Sequence, residues 1–266
     1  MTNTKKARIV LEGRHGFQHS LLTQKKALDE LNVASRRNKC GGLVIFFGAP
    51  GCGVTTVLKQ FKSTLEQEPF WPRCEQFSSR VSLIDHVLDC AGLRNDFDYT
   101  SSVPKSLIEF SFITGRRTII IDGLEDYLSS KYSYPQLLPH IHRFATCSNG
   151  FLVVATTQDK KLFQKCRDLN IDFKQEIILD DEIGREESEQ FINNFWRSCN
   201  EFLGENLYLS NELRTFALGG NNGTLSSLIA RLEILYAAKT IGFELNFHSF
   251  ADFETFELGV WNELYS

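Results

Sequence analysis

No C-x-x-C pair occurs in this 266-residue chain, and its seven cysteines, at positions 40, 52, 74, 90, 147, 166 and 199, are scattered and odd in number. That usage excludes a disulfide framework and fits reduced, mostly buried thiols. Also missing is any apolar run approaching the ~20 residues that a membrane-crossing helix needs. The opening stretch MTNTKKARIV has none of the apolar core of a secretory signal. These absences predict a soluble, cytoplasmic protein with no membrane segment. Low-complexity tracts and internal repeats are lacking as well, and the chain is long enough for one large domain or for a domain with a smaller attachment, the second being expected.

Positive charge is scarce in the C-terminal third. Residues 180–266 carry five Lys/Arg against fifteen Asp/Glu, whereas residues 1–40 carry nine against three, within a net charge of -4. The basic start is either a surface for nucleic acid or an acidic partner, or a solvated helix face. Metal-ligand spacing is equally thin. His86 and Cys90 stand four apart and can share a helix face, but no second ligand pair follows, so they are read as packing residues, as are His140 and His142.

What is present is an alternation of strand and helix signals. Residues 17–32, FQHSLLTQKKALDELN, place apolar side chains at helical spacing, and RRNKCGG then breaks the pattern. LVIFF (43–47) is an apolar run without alternation, as in a central strand covered on both faces. TIIID (118–122), FLVVATT (151–157) and QEIIL (175–179) follow as strands, with RCEQF (73–77) as a weaker one, and VSLIDHVLDCAGL, PKSLIEFSFIT and PQLLPHIHRFA between them read as helices. A parallel α/β sheet flanked by helices is predicted. After residue 180 only helical patterns remain, punctuated by Gly, Asn and Ser, which predicts an all-helical C-terminal lid subdomain. The expected parts are a basic N-terminal helical segment (1–40), an α/β core (41–180) and the helical subdomain (181–266).

Between the first strand and its helix lies G-A-P-G-C-G-V-T, residues 48–55. It matches G-x-x-x-x-G-K-[ST] at every position but one. Gly48, Gly51 and Gly53 permit a tight path that turns successive N–H groups toward a phosphate, and the helix that follows presents its positive end to the same anion. Thr55 supplies the hydroxyl for Mg²⁺, and Asp122, at the end of a second apolar strand, supplies the carboxylate. Val54 stands where the motif has its lysine, so a cation that would meet the outer phosphates of ATP is gone. Gly123 occupies the place where many such ATPases carry a water-activating glutamate. Glu125 and Asp126 lie close by in sequence and are read either as substitutes or as surface carboxylates. Thr156 and Thr157 can orient water or a γ-phosphate, or cap the next helix.

The order of these parts looks like an AAA+ module. Within that class the C-terminal half, FINNFWRSCNEFLGENLYLSNELRTFALGGNNGTLSSLIARLEILYAAKTIG, resembles the TniB/TnsC family of transposition ATPases, and the resemblance covers roughly residues 8–256. It implies an ATP-dependent regulator that oligomerises on target DNA and couples a target-selection protein to the transposase. Carried over residue by residue, it assigns Gly48, Gly51, Cys52, Gly53, Val54, Thr55 and Thr56 to the nucleotide loop, Asp122 to the Walker B aspartate and Thr157 to the sensor-1 position. Its sensor-2 arginine falls on Thr224, and Arg231, further along the same helix, is expected to face solvent or a neighbouring subunit. The stretch matching the family's DNA-contacting region, AGLRNDFDYTSSVPKS, offers only Arg94 and Lys105 against Asp96 and Asp98, so any DNA contact is expected at Lys5, Lys6, Arg8, Arg36, Arg37 and Lys39.

The resulting expectation is a degenerate AAA+ protein with weak ATP and Mg²⁺ binding, which assembles as a homo- or hetero-oligomer and acts as an adaptor in transposition. Two alternatives stand beside it. One is a working ATPase with a rearranged site that uses Glu125 and a neighbouring subunit's cation. The other is an initiator-type AAA+ subunit of a replication-origin complex, a class that usually carries a further winged-helix domain.

Overall fold

The computed structural model describes residues 1–14, 17, 21–37, 41–72, 82–93, 102–129, 136–147, 150–179, 183–219, 224–243 and 250–265. The chain forms two compact units, one made of Leu22–Asp180 and the other of Met1–Leu21 with Asp181–Ser266.

In the first unit, β1 (Gly42–Gly48), β2 (Thr118–Ile121), β3 (Leu152–Thr157) and β4 (Lys174–Leu179) form one sheet in the order β2-β3-β1-β4. Every pairing is parallel, with Val44 opposite Val154 and Gln175, and Ile120 opposite Val154. The two strands that carry the nucleotide motifs, β1 and β2, are therefore parallel and separated by β3. Successive strand residues face opposite sides, and both sides are covered, which is why β1 is apolar throughout. Leu43 and Ile45 join one buried cluster with Ile119, Ile121, Val153 and Ala155, while Val44 and Phe46 join another with Ile120, Val154, Ile177 and Leu179. At the edge strand β4 the pattern alternates instead, with Ile177 and Leu179 buried and Glu176 and Ile178 exposed.

The helices of this unit are α2 (Leu22–Arg37), α3 (Val54–Thr64), α4 (Leu83–Cys90), α5 (Lys105–Thr114), α6 (Leu124–Ser129), α7 (Leu137–Thr146) and α8 (Lys160–Arg167). The helix expected over 17–32 lies at 22–37. Its buried positions are Gln24, Ala27, Leu31 and Ala34, spaced at three and four residues, so the apolar stripe runs on past Asn32. The strand expected over 73–77 lies outside the described residues. Just before it, Phe70 bridges to Ile119 in parallel sense, its N–H donating to the Thr118 carbonyl at 2.9 Å and its carbonyl accepting from Ile120 N–H at 2.8 Å. Among the described residues no helix is long and apolar enough to cross a membrane.

The second unit is all helical: α1 (Asn3–Leu11), α9 (Arg185–Leu203), α10 (Asn211–Gly219), α11 (Leu225–Ile241) and α12 (Phe250–Tyr265). Its axis is α11, which buries ten residues between Leu225 and Thr240 and exposes Ser226, Ala230 and Lys239, with α1 and α12 among the helices that pack on it. Residues 1–40, grouped by charge in the sequence, are thus shared between the units, α1 with the helices and α2 with the sheet. Two basic side chains fasten α1. Lys6 forms an ion pair with Glu205, and Arg8 Nε donates to the Leu264 carbonyl at 2.8 Å, with its guanidinium 4.6 Å from the centre of the Tyr265 ring. The arginine meets carbonyl dipoles at the end of α12, where a cation is favoured.

His86 on α4 and His140 on α7 are both buried in the α/β unit. Desolvation is the main cause that pushes each imidazole down to about 4 from an ordinary 6.5, with Arg143 lowering His140 further and Asp85 opposing the shift in both. Because the folded values are lowered, the unfolded chain binds more protons between about pH 6.5 and about 4. Stability is fully present above that window and falls as pH drops through it. Urea unfolding from pH 7.5 to 4.5 should show this decline, and His140→Leu should flatten it; an equally steep decline in the variant would place the acid sensitivity elsewhere.

Candidate functional site

The loop after β1 keeps the backbone path that its glycines suggest. Gly51 and Gly53 have φ of 79° and 92°, in the left-handed region where a side chain is disfavoured, and Gly53 caps the start of α3. Cys52 N–H donates to the Ala49 carbonyl at 3.2 Å, and Val57 N–H donates to the Gly53 carbonyl at 3.0 Å, closing the turn into the helix.

Gly48 is required for a different reason. A Cβ there would lie 2.5 Å from Val54 Cγ2 and 2.7 Å from Cys52 Sγ, so these two side chains fold back over the bare Cα at the end of β1. Cys52 is buried, and Val54 packs against the cluster that contains Val44, Phe46 and Val57. The position that the motif gives to lysine is therefore half-buried against the apolar core. Thr55 and Thr56 are exposed on the first turn of α3. No residue from 48 to 56 carries a positive charge.

Gln24 supports the loop from outside the motif. It is 2 % exposed, and its Nε2 donates to the Cys52 carbonyl at 2.9 Å. The signal was a glutamine on the stripe of α2 that otherwise holds Ala27, Leu31 and Ala34.

Asp122 follows β2 and is brought to the loop. Its Oδ2 accepts from Thr55 Oγ1 at 3.0 Å, and its Oδ1 accepts from Thr156 Oγ1 at 3.0 Å. The Thr156 oxygen in turn accepts from Gly123 N–H at 2.7 Å. Thr156 reaches Asp122 because Ala155 pairs with Ile121 in the register, and Thr157, one residue on, belongs to the opposite face. The Thr157 hydroxyl donates instead to Glu125. The same carboxylate oxygen accepts from the N–H groups of Gln158 and, at 2.9 Å, Asp159, so Glu125 is held at the start of α8. Asp126 turns the other way: a Cβ on Gly123 would lie 2.8 Å from its Oδ2. An oxygen pair from Thr55 and Asp122 beside an N–H-rich turn fits a divalent cation and a phosphate by donor chemistry, and these two residues would hold the cation.

No protein-family model matches the chain, and no curated protein matches it in sequence. Solved structures do. A Walker-type ATPase of Pyrococcus abyssi superposes with a TM-score of 0.56 at 14% identity, over 91% of this chain and 75% of that one. The ORC2 protein of Aeropyrum pernix, solved in ADPNP–ADP complexes, gives 0.56 at 13% identity over 97% and 72%. With the parallel order β2-β3-β1-β4 and the helical C-terminal part, this decides the architecture. The chain shares the fold of these two proteins.

In this fold the remaining expected positions are placed differently from one another. Thr224 is the N-cap of α11, its side chain accepting from Ser227 N–H at 3.4 Å. Arg231, expected to face solvent or a neighbouring subunit, is instead 4 % exposed. It donates to the Phe216 carbonyl at 3.3 Å and lies over the rings of Phe216 and Phe253, at 5.6 and 5.0 Å. The reason is that Arg231 lies on the face of α11 that buries Leu228, Leu232 and Leu235, not on the face that exposes Ala230. Of the basic residues considered for DNA, Lys6 and Arg8 are engaged within the helical unit, Lys5, Arg36 and Arg37 are exposed, and Lys39 lies outside the described residues. Arg94, Asp96 and Asp98 also lie outside them, and Lys105 is exposed and pairs with Glu109 at 3.5 Å.

Gly48→Ala should lower the unfolding free energy by about 1–3 kcal/mol, the range for overpacking a filled core. Adding Val54→Ala should recover part of that loss, because the new methyl meets Val54 first. Strictly additive effects of the two changes in denaturant unfolding would contradict the contact.

Proposed function

We propose that this chain is an AAA+ module that binds nucleotide weakly, turns it over slowly or not at all, and acts as an assembly adaptor in DNA transposition. One observation carries the nucleotide part: Val54 is packed over Gly48 while the N–H-rich turn and the Thr55–Asp122 pair remain in place. Backbone donors and a helix end attract phosphate whatever the side chains are. The charge that the lysine would add is missing, and desolvating a valine beside a polyanion contributes nothing in its place.

The adaptor part is supported by the resemblance of the C-terminal helices to TniB/TnsC proteins. The aromatic α9, with Phe191, Phe195 and Trp196, and α11 running into Ala237, Ala238 and then Gly242 follow the order of that family. The implied partners are a transposase and a target-selection protein, with DNA contact through exposed basic residues such as Lys5, Arg36 and Arg37, and assembly with other copies or related subunits. A second reading, an initiator-type subunit of a replication-origin complex, is favoured by the likeness to the Aeropyrum pernix ORC2 protein. A working ATPase based on Glu125 has less support, since that carboxylate is engaged by Thr157 and the turn into α8.

ATP binding and turnover, measured by calorimetry and phosphate release, test the nucleotide part. The unmodified protein should bind weakly without measurable turnover, and Val54→Lys should tighten binding about tenfold or more, the effect of one added charge-assisted hydrogen bond. Robust turnover in the unmodified protein, abolished by Asp122→Ala, would overturn the proposal. Co-sedimentation with DNA, together with the product of any transposase gene beside the coding sequence, tests the adaptor part: complex formation should not require ATP.

A further inference from the structure

Among the described residues the N–H groups of Gly53, Val54, Thr55 and Thr56 have no acceptor, and the first bond that closes α3 runs from Val57 N–H to the Gly53 carbonyl. A helix start leaves such donors open. We propose that Gln24, on α2, is the residue that sets their direction: by holding the Cys52 carbonyl it fixes the peptide between Cys52 and Gly53 and keeps the donor row free for the phosphates of a nucleotide. The inference rests on the nucleotide reading above and adds to it a positioning residue that lies outside the loop.

A trans peptide is planar, so its C=O and N–H point in opposite directions. Gln24 Nε2 donates to the Cys52 carbonyl at 2.9 Å, which turns that oxygen toward α2 and the Gly53 N–H away from it. The same bond takes up the carbonyl to which Thr56 N–H would donate if the helix began one residue earlier. Thr56 N–H therefore stays available, and α3 starts at Val54 with Gly53 as its cap. The Cys52 N–H is spent within the turn, on the Ala49 carbonyl at 3.2 Å, so the open row begins at Gly53.

Packing alone does not call for a glutamine at this place. Gln24 is 2 % exposed on a stripe completed by Ala27, Leu31 and Ala34, where an apolar side chain would fill the same space. A buried amide is costly unless it is hydrogen-bonded, and a carbonyl oxygen accepts only from the nitrogen end of that amide. Because α2 packs against α3 and β4, the anchor is carried by a helix fixed in the core and not by the loop itself. The loop is thus oriented from behind, on the side away from any ligand.

The test uses the full chain with ATP and Mg²⁺ as the probe. Binding is followed by calorimetry and by the Gly53 amide resonance in NMR spectra, and the fold of each variant is checked by circular dichroism. In the unmodified chain that resonance should move as ATP is added. Gln24→Leu should weaken binding about tenfold, the effect of misplacing one charge-assisted hydrogen bond, and should reduce the movement of the Gly53 resonance. Gln24→Glu separates positioning from packing, since a carboxylic acid donates to the Cys52 carbonyl only while it is protonated, a form that burial favours. Its affinity, taken relative to the unmodified chain at the same pH, should recover as the pH is lowered from about 8 to about 5. This second variant decides the matter if Gln24→Leu does not fold. A relative affinity for Gln24→Glu that stays constant with pH, or a Gln24→Leu chain that unfolds more readily yet binds ATP as before, would overturn the assignment. If the unmodified chain shows neither heat nor movement of the Gly53 resonance, the nucleotide reading falls and takes this inference with it, an outcome seen before any variant is compared.

Discussion

Asp122 joins the end of β2 to α3 through Thr55 and to β3 through Thr156. One carboxylate thereby ties together three segments distant in sequence, and the site has its shape because the sheet delivers them to the same end. The parallel order matters here. With β3 between β1 and β2, all three strands finish on one side, and the loops after them are the ones that converge. Thr156 is placed by register and Thr55 by the first turn of a helix, so neither depends on a long mobile side chain.

Against this ordered polar frame, the loop after β1 is apolar where charge is expected. The side chains of Cys52 and Val54 lie over Gly48, and the Cys52 carbonyl is held by Gln24. Such a turn is stabilised from inside, by packing and a buried hydrogen bond, and does not depend on a bound anion to organise it. A lysine at the same place would leave the core and extend into solvent or toward a ligand. The substitution thus moves free energy from ligand binding to folding, which is the physical difference between a loop that waits for phosphate and one that is already satisfied.

Much of this was legible in the chain itself. Unbroken apolar runs marked β1, β2 and β3 because both faces are covered, and glycines marked the loop because only they take its backbone angles. What was hidden depended on the third dimension. Arg231 reads as a surface residue until α11 is known to be the central helix. Lys6 and Arg8 read as a basic patch until their partners, Glu205 and the Leu264 carbonyl, are seen nearly 200 or more residues away. That Glu125 meets Thr157 and the turn into α8 while Asp126 lies over Gly123 had no sequence signal, since adjacent residues at a helix start differ only in the direction their side chains leave it. Gln24 was detectable in principle, as a polar residue on a stripe that was otherwise apolar.

The helical unit draws on residues that precede and follow the α/β unit in the sequence, since α1 packs with residues 181–266. This has a consequence for how the chain becomes a protein. Residues 22–180 emerge from the ribosome as a contiguous stretch with all four strands and can collapse on their own. During that time α1, made before the strands, has no partner, because α11 is more than 200 residues downstream. Its docking closes the largest loop in the molecule, an entropic cost that grows only slowly with length but is met late. A segment synthesised before the sheet therefore finds its place only after it, and until then its Ala7 and Val10 face is exposed apolar surface.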